Sequence, residues 1–104
     1  MSENNGSHRN PKFALGKQVV ATPGALELLE QCGKNAAEFI QRHLRLEQGI
    51  LCSEDHELNS EAVIDGSRIL SSFKVGQEKL WVISEAADDS GQRAATTLLL
   101  PEEY

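Results

Sequence analysis

Between Arg68 and Leu100 apolar and polar positions alternate in two runs and then merge into a third. The runs are RILSSFKV, a four-residue connection GQEK, LWVISE, an acidic loop, and ATTLLL before the ending PEEY. Apolar runs rich in Ile, Val, Phe and Trp, joined by short connections containing Gly, Ser or Asp, predict an antiparallel meander. In the first strand Ile69, Ser71, Phe73 and Val75 fall on one face, and Leu70, Ser72 and Lys74 on the other. In the second, Trp81, Ile83 and Glu85 oppose Leu80, Val82 and Ser84. The nearly continuous Leu98-Leu99-Leu100 predicts a last strand that is buried on both faces or set at an interface.

Upstream the spacing is helical. Thr22-Pro23-Gly24-Ala25 is a helix start, with threonine as the cap and proline where its missing N–H costs nothing. Ala25, Leu26, Leu29 and Cys32 form the apolar stripe of that helix, and Gly33 can end it in the left-handed conformation. Asn35 with Glu38 resembles a capping box opening a second helix, striped by Ala36, Phe39, Ile40, His43 and Leu44 and stopped near Gly49. Ser53 caps a third, whose first turn carries Glu54, Asp55 and Glu57 at the positive end of the helix dipole. Leu58, Ala62 and Val63 are its inward positions, Asn59-Ser60 is a candidate restart, and Gly66 ends it.

This pattern predicts an α+β fold: two or three N-terminal helices packed on one face of a small, mainly antiparallel sheet formed by a C-terminal three-stranded meander. Lys17 to Ala21 is a candidate strand added at an edge. Residues 1–16 read as a flexible tail too polar to offset its ordering entropy, and residues 17–104 as a single domain.

Composition narrows the function classes. The 104 residues are 39% hydrophobic, enough for one core without metal or disulfide staples. The formal charge of -6, from 16 acidic and 10 basic residues, argues against nucleic acid, whose non-specific affinity comes from lysine and arginine. Cys32 and Cys52 form no CxxC pair, which suits a reducing compartment. With no apolar run of membrane-spanning length and no signal-peptide core in MSENNGSHRNPK, the expectation is a cytoplasmic protein that does not engage a membrane.

Chemistry is sparse. His43, Cys52 and His56 make a thin H-x8-C-x3-H pattern lacking a fourth ligand; the bland reading is a buried thiol, a core-edge imidazole and a capping histidine. Ser71, Ser72, Thr96 and Thr97 are hydroxyls that His43 could serve as base, but no G-x-S-x-G turn presents one of them. Neither glycine-rich phosphate loop is present, so no cofactor is expected. Arg42, His43, Arg45 and Arg68 form the only cationic cluster, a candidate binding site for a carboxylate or phosphate; against it stands pairing with Glu38, Glu47 or Glu61.

Several segments carry a resemblance. These are Thr22-Pro23-Gly24-Ala25-Leu26, Arg42-His43, Glu54-Asp55 with Asn59 and Ala62, Gly66-x-Arg68-Ile69-Leu70-Ser71, Trp81-Val82-Ile83-Ser84-Glu85, and the ending TTLLLPEEY. Together they resemble small uncharacterised proteins of plasmids, integrative elements and other mobile DNA. The similarity runs from about Val20 to the C-terminus. Where that family has G-D-W-G after the Arg-His pair, this chain has Leu46-Glu47-Gln48-Gly49. The resemblance implies a bacterial, mobile-element setting and supplies no mechanism. Three readings follow: an interaction module that binds a protein partner or itself, as a homodimer, through a sheet edge or the last strand; a small-molecule or anion binder using the arginine cluster; and a hydrolase-type enzyme with His43 as general base.

Overall fold

The structure, a computed structural model, describes residues 11–47 and 53–104, the side chains of residues 53–56 and 58 excepted. Its elements run β1 (Gln18–Ala21), α1 (Pro23–Gln31), α2 (Ala36–Leu44), α3 (Ser53–Asp65), β2 (Ile69–Val75), β3 (Glu78–Ser84) and β4 (Ala95–Leu99), closed by a 3₁₀ turn over Pro101–Glu103. The fold is α+β, with three helices and a four-stranded sheet.

The meander forms as the alternation requires, with a tighter first turn. Val75 pairs directly with Glu78, so only Gly76 and Gln77 make the turn. Gly76 has a φ of 61°, the left-handed value that such a two-residue connection needs at its first position. A Cβ there would also stand 2.8 Å from Cys32 Sγ. The register sets Ile69, Ser71, Phe73 and Val75 beside Ser84, Val82, Leu80 and Glu78, and sets Ser84 and Val82 beside Thr96 and Leu98. On this face Phe73, Val75, Leu80, Val82 and Leu98 form the core with Ala25, Leu28, Leu29 and Phe39 of α1 and α2. On the other face Ile83 and Leu99 are also buried, and Tyr104 lies edge-on to Trp81.

The sheet is mixed. Its order is β1-β4-β3-β2: two pairings are antiparallel, and β1 joins at an edge, as expected, but runs parallel to β4. A parallel pair needs a long crossover, and the three helices between β1 and β2 supply it. Gly16 allows the close approach: a Cβ there would stand 2.6 Å from the Ala95 backbone. β4 thereby becomes an interior strand, which explains its continuous leucines and removes it as an interaction edge.

Helix ends follow local chemistry. Thr22 Oγ1 accepts from Ala25 N–H and Asn35 Oδ1 from Ala37 N–H, so both caps hold. Glu38, however, faces Arg42 at 4.0 Å and completes no box. Leu26, expected inside, is 54% exposed, and Leu28 takes its place because a nine-residue helix turns positions 25, 28 and 29 toward the sheet. α3 is one helix across Asn59-Ser60 and packs along β2, outside the main core cluster. The start of the domain also moves. Lys12 N–H donates to Leu44 O and Gly16 N–H to Thr96 Oγ1, so residues 12–16 lie against a domain expected to begin at Lys17. Residues 1–10, the rest of the predicted tail, and the Gly49 stop lie outside the described residues.

α1 and α2 end alike. In α1, Lys34 N–H reaches Leu29 O and Gly33 N–H reaches Glu30 O, with Gly33 at a φ of 65°. In α2, Glu47 N–H reaches Arg42 O and Leu46 N–H reaches His43 O, with Leu46 at a φ of 55°. Both are Schellman stops, but the second holds a leucine in left-handed backbone, which strains an L residue by about 1–2 kcal/mol. At this position Leu46→Gly is expected to be more stable than Leu46→Ala by about 1 kcal/mol, the reverse of their order inside a helix. Urea unfolding of the two variants measures the difference.

Candidate functional site

α2 carries His43 on its inward stripe, and its side chain is fully buried. Nδ1 lies 2.7 Å from Ser71 Oγ on β2, and Nε2 lies 2.8 Å from Ser84 Oγ on β3. Ser84 Oγ is in turn 3.0 Å from Thr96 Oγ1 on β4, which accepts from Gly16 N–H. Whichever ring nitrogen carries the proton, one serine donates to the imidazole and the other accepts from it. Phe13 closes the site edge-on, its ring centroid 5.1 Å from that of His43. Burial first, and the nearby charge of Arg93 second, push the His43 pKa from 6.5 down to about 3.

Ser84 and His43 thus have the spacing of a nucleophile and a base, with no room for a substrate. No surface of His43 is exposed, and an imidazole so reluctant to bind a proton is a weak base at neutral pH. The geometry serves packing: four polar side chains satisfy one another inside the sheet-helix interface. For the metal pattern, Cys52 and the His56 side chain lie outside the described residues. Among the described residues no three His, Cys, Asp or Glu side chains converge as metal ligands.

The four predicted binding residues go to different places. Arg42 stands over the Phe73 ring at 4.7 Å, with Nε 3.4 Å from Glu47 Oε1. Arg45 Nε is 2.7 Å from the other oxygen of the same carboxylate. Arg68 stands over Tyr104 at 5.5 Å, five residues along the chain from Phe73, or roughly 16 Å at strand spacing. His43 faces inward. The structure therefore groups Arg42 and Arg45 around Glu47 and keeps Arg68 apart.

The sheet edges differ. At β2, the side chain of Asn59 on α3 pairs with the outward backbone of Leu70: Nδ2 donates to Leu70 O at 2.6 Å, and Leu70 N–H donates to Oδ1 at 3.2 Å. At β1, Gln18 N–H and Thr22 N–H turn inward to Ala94 O and Leu98 O. By the alternation of a parallel ladder, the N–H and C=O groups of Val19 and Ala21 face outward. Among the described residues no strand pairs with them. Val19 and Val20 are 47% and 45% exposed on opposite faces of this edge.

No protein-family model, curated protein or solved structure matches this chain. No helix among the described residues is long and apolar enough to cross a membrane. Sequence reasoning missed Phe13, Asn59 and Arg93. Arg93 is the sole basic residue after Lys79, set in an acidic stretch, and that isolation was its only signal.

Between pH 6.5 and about 3 an unfolded His43 takes up a proton that the folded one refuses, so stability falls as pH drops through this window. The loss is at most about 1.4 kcal/mol per pH unit. Its upper part, to about pH 4.5, lies above the carboxylate range and isolates the histidine. His43→Gln offers the serines an amide that does not titrate. It is expected to be less stable at pH 7.5 and to lose most of the decline across that upper part, as read by urea unfolding at stepped pH; an undiminished decline would assign it to another group.

Proposed function

We propose that this protein is a small non-catalytic interaction module that associates with a second copy of itself through the open edge of β1. The observation that carries this reading is the open β1 edge, where unpaired backbone is flanked by half-exposed valines, whereas at β2 a side-chain amide occupies the outward backbone of Leu70. Such an edge is a template for another strand.

A two-fold axis at Val20 suits this edge. Antiparallel pairing would let Val19 and Ala21 of one copy exchange backbone hydrogen bonds with Ala21 and Val19 of the other, and would stack Val20 on Val20. Lys17 would then come beside the end of β1 where Glu103 accepts from Thr22 and Gly24, placing opposite charges together at both ends. The resemblance to proteins of mobile DNA supports a bacterial, mobile-element setting.

Sedimentation of the protein over increasing concentration is expected to reveal a species of twice its 11.4 kDa mass. Val19→Pro removes an outward N–H without touching the β4 ladder, and should leave a folded monomer by circular dichroism. A wild-type protein that stays monomeric at millimolar concentration would overturn the proposal.

A further inference from the structure

Independently of the β1 edge, a groove of about 560 Å³ opens between residues 12–17, the end of α3 and the loop from Ala87 to Arg93. Arg93 forms part of its wall and is only 6% exposed. Its Nη1 donates to Ser67 O at 2.7 Å and to Glu85 O at 2.9 Å, and its Nη2 donates to Ala62 O at 3.1 Å. Those bonds use three of the five guanidinium N–H groups and leave those on Nε and one on Nη2. The Phe13 ring lies against the group, its centroid 5.4 Å from Cζ. Among the described residues no carboxylate lies within ion-pair distance of Arg93; burial lowers its pKa, and the charge of Asp65 on the same groove only partly offsets this. A buried cation ordinarily has a counter-anion, because carbonyls and a ring face only partly replace its hydration.

We propose that the groove binds an amphiphilic monocarboxylate, whose head takes the free N–H groups of Arg93 and whose apolar body lies on Phe13, Leu15, Val63 and Ile64. Two features select this class. Ile64 is 88% exposed and Leu15 43% exposed beside the groove, which gives an apolar body something to cover. Apart from Arg93, the charged lining is Lys12 and Lys17 against Asp65, Asp88 and Asp89, so a second negative charge on the ligand would meet a net negative rim. A free carboxylate and a compact dianion such as phosphate are thereby distinguished.

The test is an NMR titration of the ¹⁵N-labelled full chain with hexanoate, acetate, 1-hexanol and inorganic phosphate. Hexanoate is expected to move the Arg93 Nε–H resonance together with the amides of Phe13, Leu15 and Gly91. It should bind about tenfold more tightly than acetate, which lacks the body, or 1-hexanol, which lacks the head. Phosphate should leave these resonances in place. Ile64→Ser alters only an exposed position, adds no charge to the rim, and should weaken hexanoate about fivefold while leaving acetate unchanged. Hexanoate that moves none of these resonances, 1-hexanol or phosphate that matches it, or full affinity in Ile64→Ser would each overturn the proposal.

Discussion

The buried imidazole of His43 constrains the rest of the domain. It joins α2 to β2 through Ser71 and to β3 through Ser84, and Ser84 passes the connection through Thr96 on β4 to the backbone of Gly16. Every member of this chain is buried, so each lost partner leaves a polar group in apolar surroundings at a cost of about 1–3 kcal/mol. A leucine at position 43 would fill space in several registers of α2 against the sheet. The imidazole fits one, because displacing α2 by a turn, or one strand by a residue, moves the ring or its hydroxyls farther than any hydrogen bond stretches.

The ends of the domain are tied by a second polar arrangement. Glu103 accepts from Thr22 Oγ1, Gly24 N–H and Leu100 N–H, so the closing turn places a carboxylate on the first turn of α1. The positive end of a helix dipole favours that charge, and the bond from Thr22, followed by that from Leu100, holds the Glu103 pKa below the usual carboxylate range. A Cβ at Gly24 would stand 2.6 Å from a Glu103 oxygen, so a larger residue there would displace the carboxylate from this position. The Thr-Pro-Gly start and the Pro-Glu-Glu ending, far apart in the chain, are therefore two halves of one cap.

What could be read from the sequence was whatever depends on near neighbours. The caps at Thr22 and Asn35, the glycine stop after α1, the meander and the inward stripe of α2 are local, and the structure contains them. Leu26 and Leu28 were exchanged because a short helix offers too few turns to fix its phase. The parallel placement of β1 could not be read, since it depends on Gly16 meeting Ala95 across the whole length of the domain. Arg93 was opaque for the same reason: its acceptors lie on α3, on the loop after it and at the end of β3. Of the arginine cluster, Arg42 and Arg45 come together because they share a helix end, while Arg68 lies just before β2 and stands apart.

The edge contrast also bounds what β1 can do. With four residues, β1 directs only Val19 and Ala21 outward, so a two-fold pairing forms about four backbone hydrogen bonds. Each is worth about 1 kcal/mol net, which does not by itself cover the rotational and translational cost of association. The surplus must come from apolar area, and β1 itself exposes two large apolar side chains, Val19 and Val20. An interface of that size belongs with transient contacts rather than with obligate ones. The same shortness protects the protein, because a long open edge with valines on both faces would recruit any unfolded chain, whereas a four-residue edge next to the Thr22-Pro23 break ends the ladder before it can propagate.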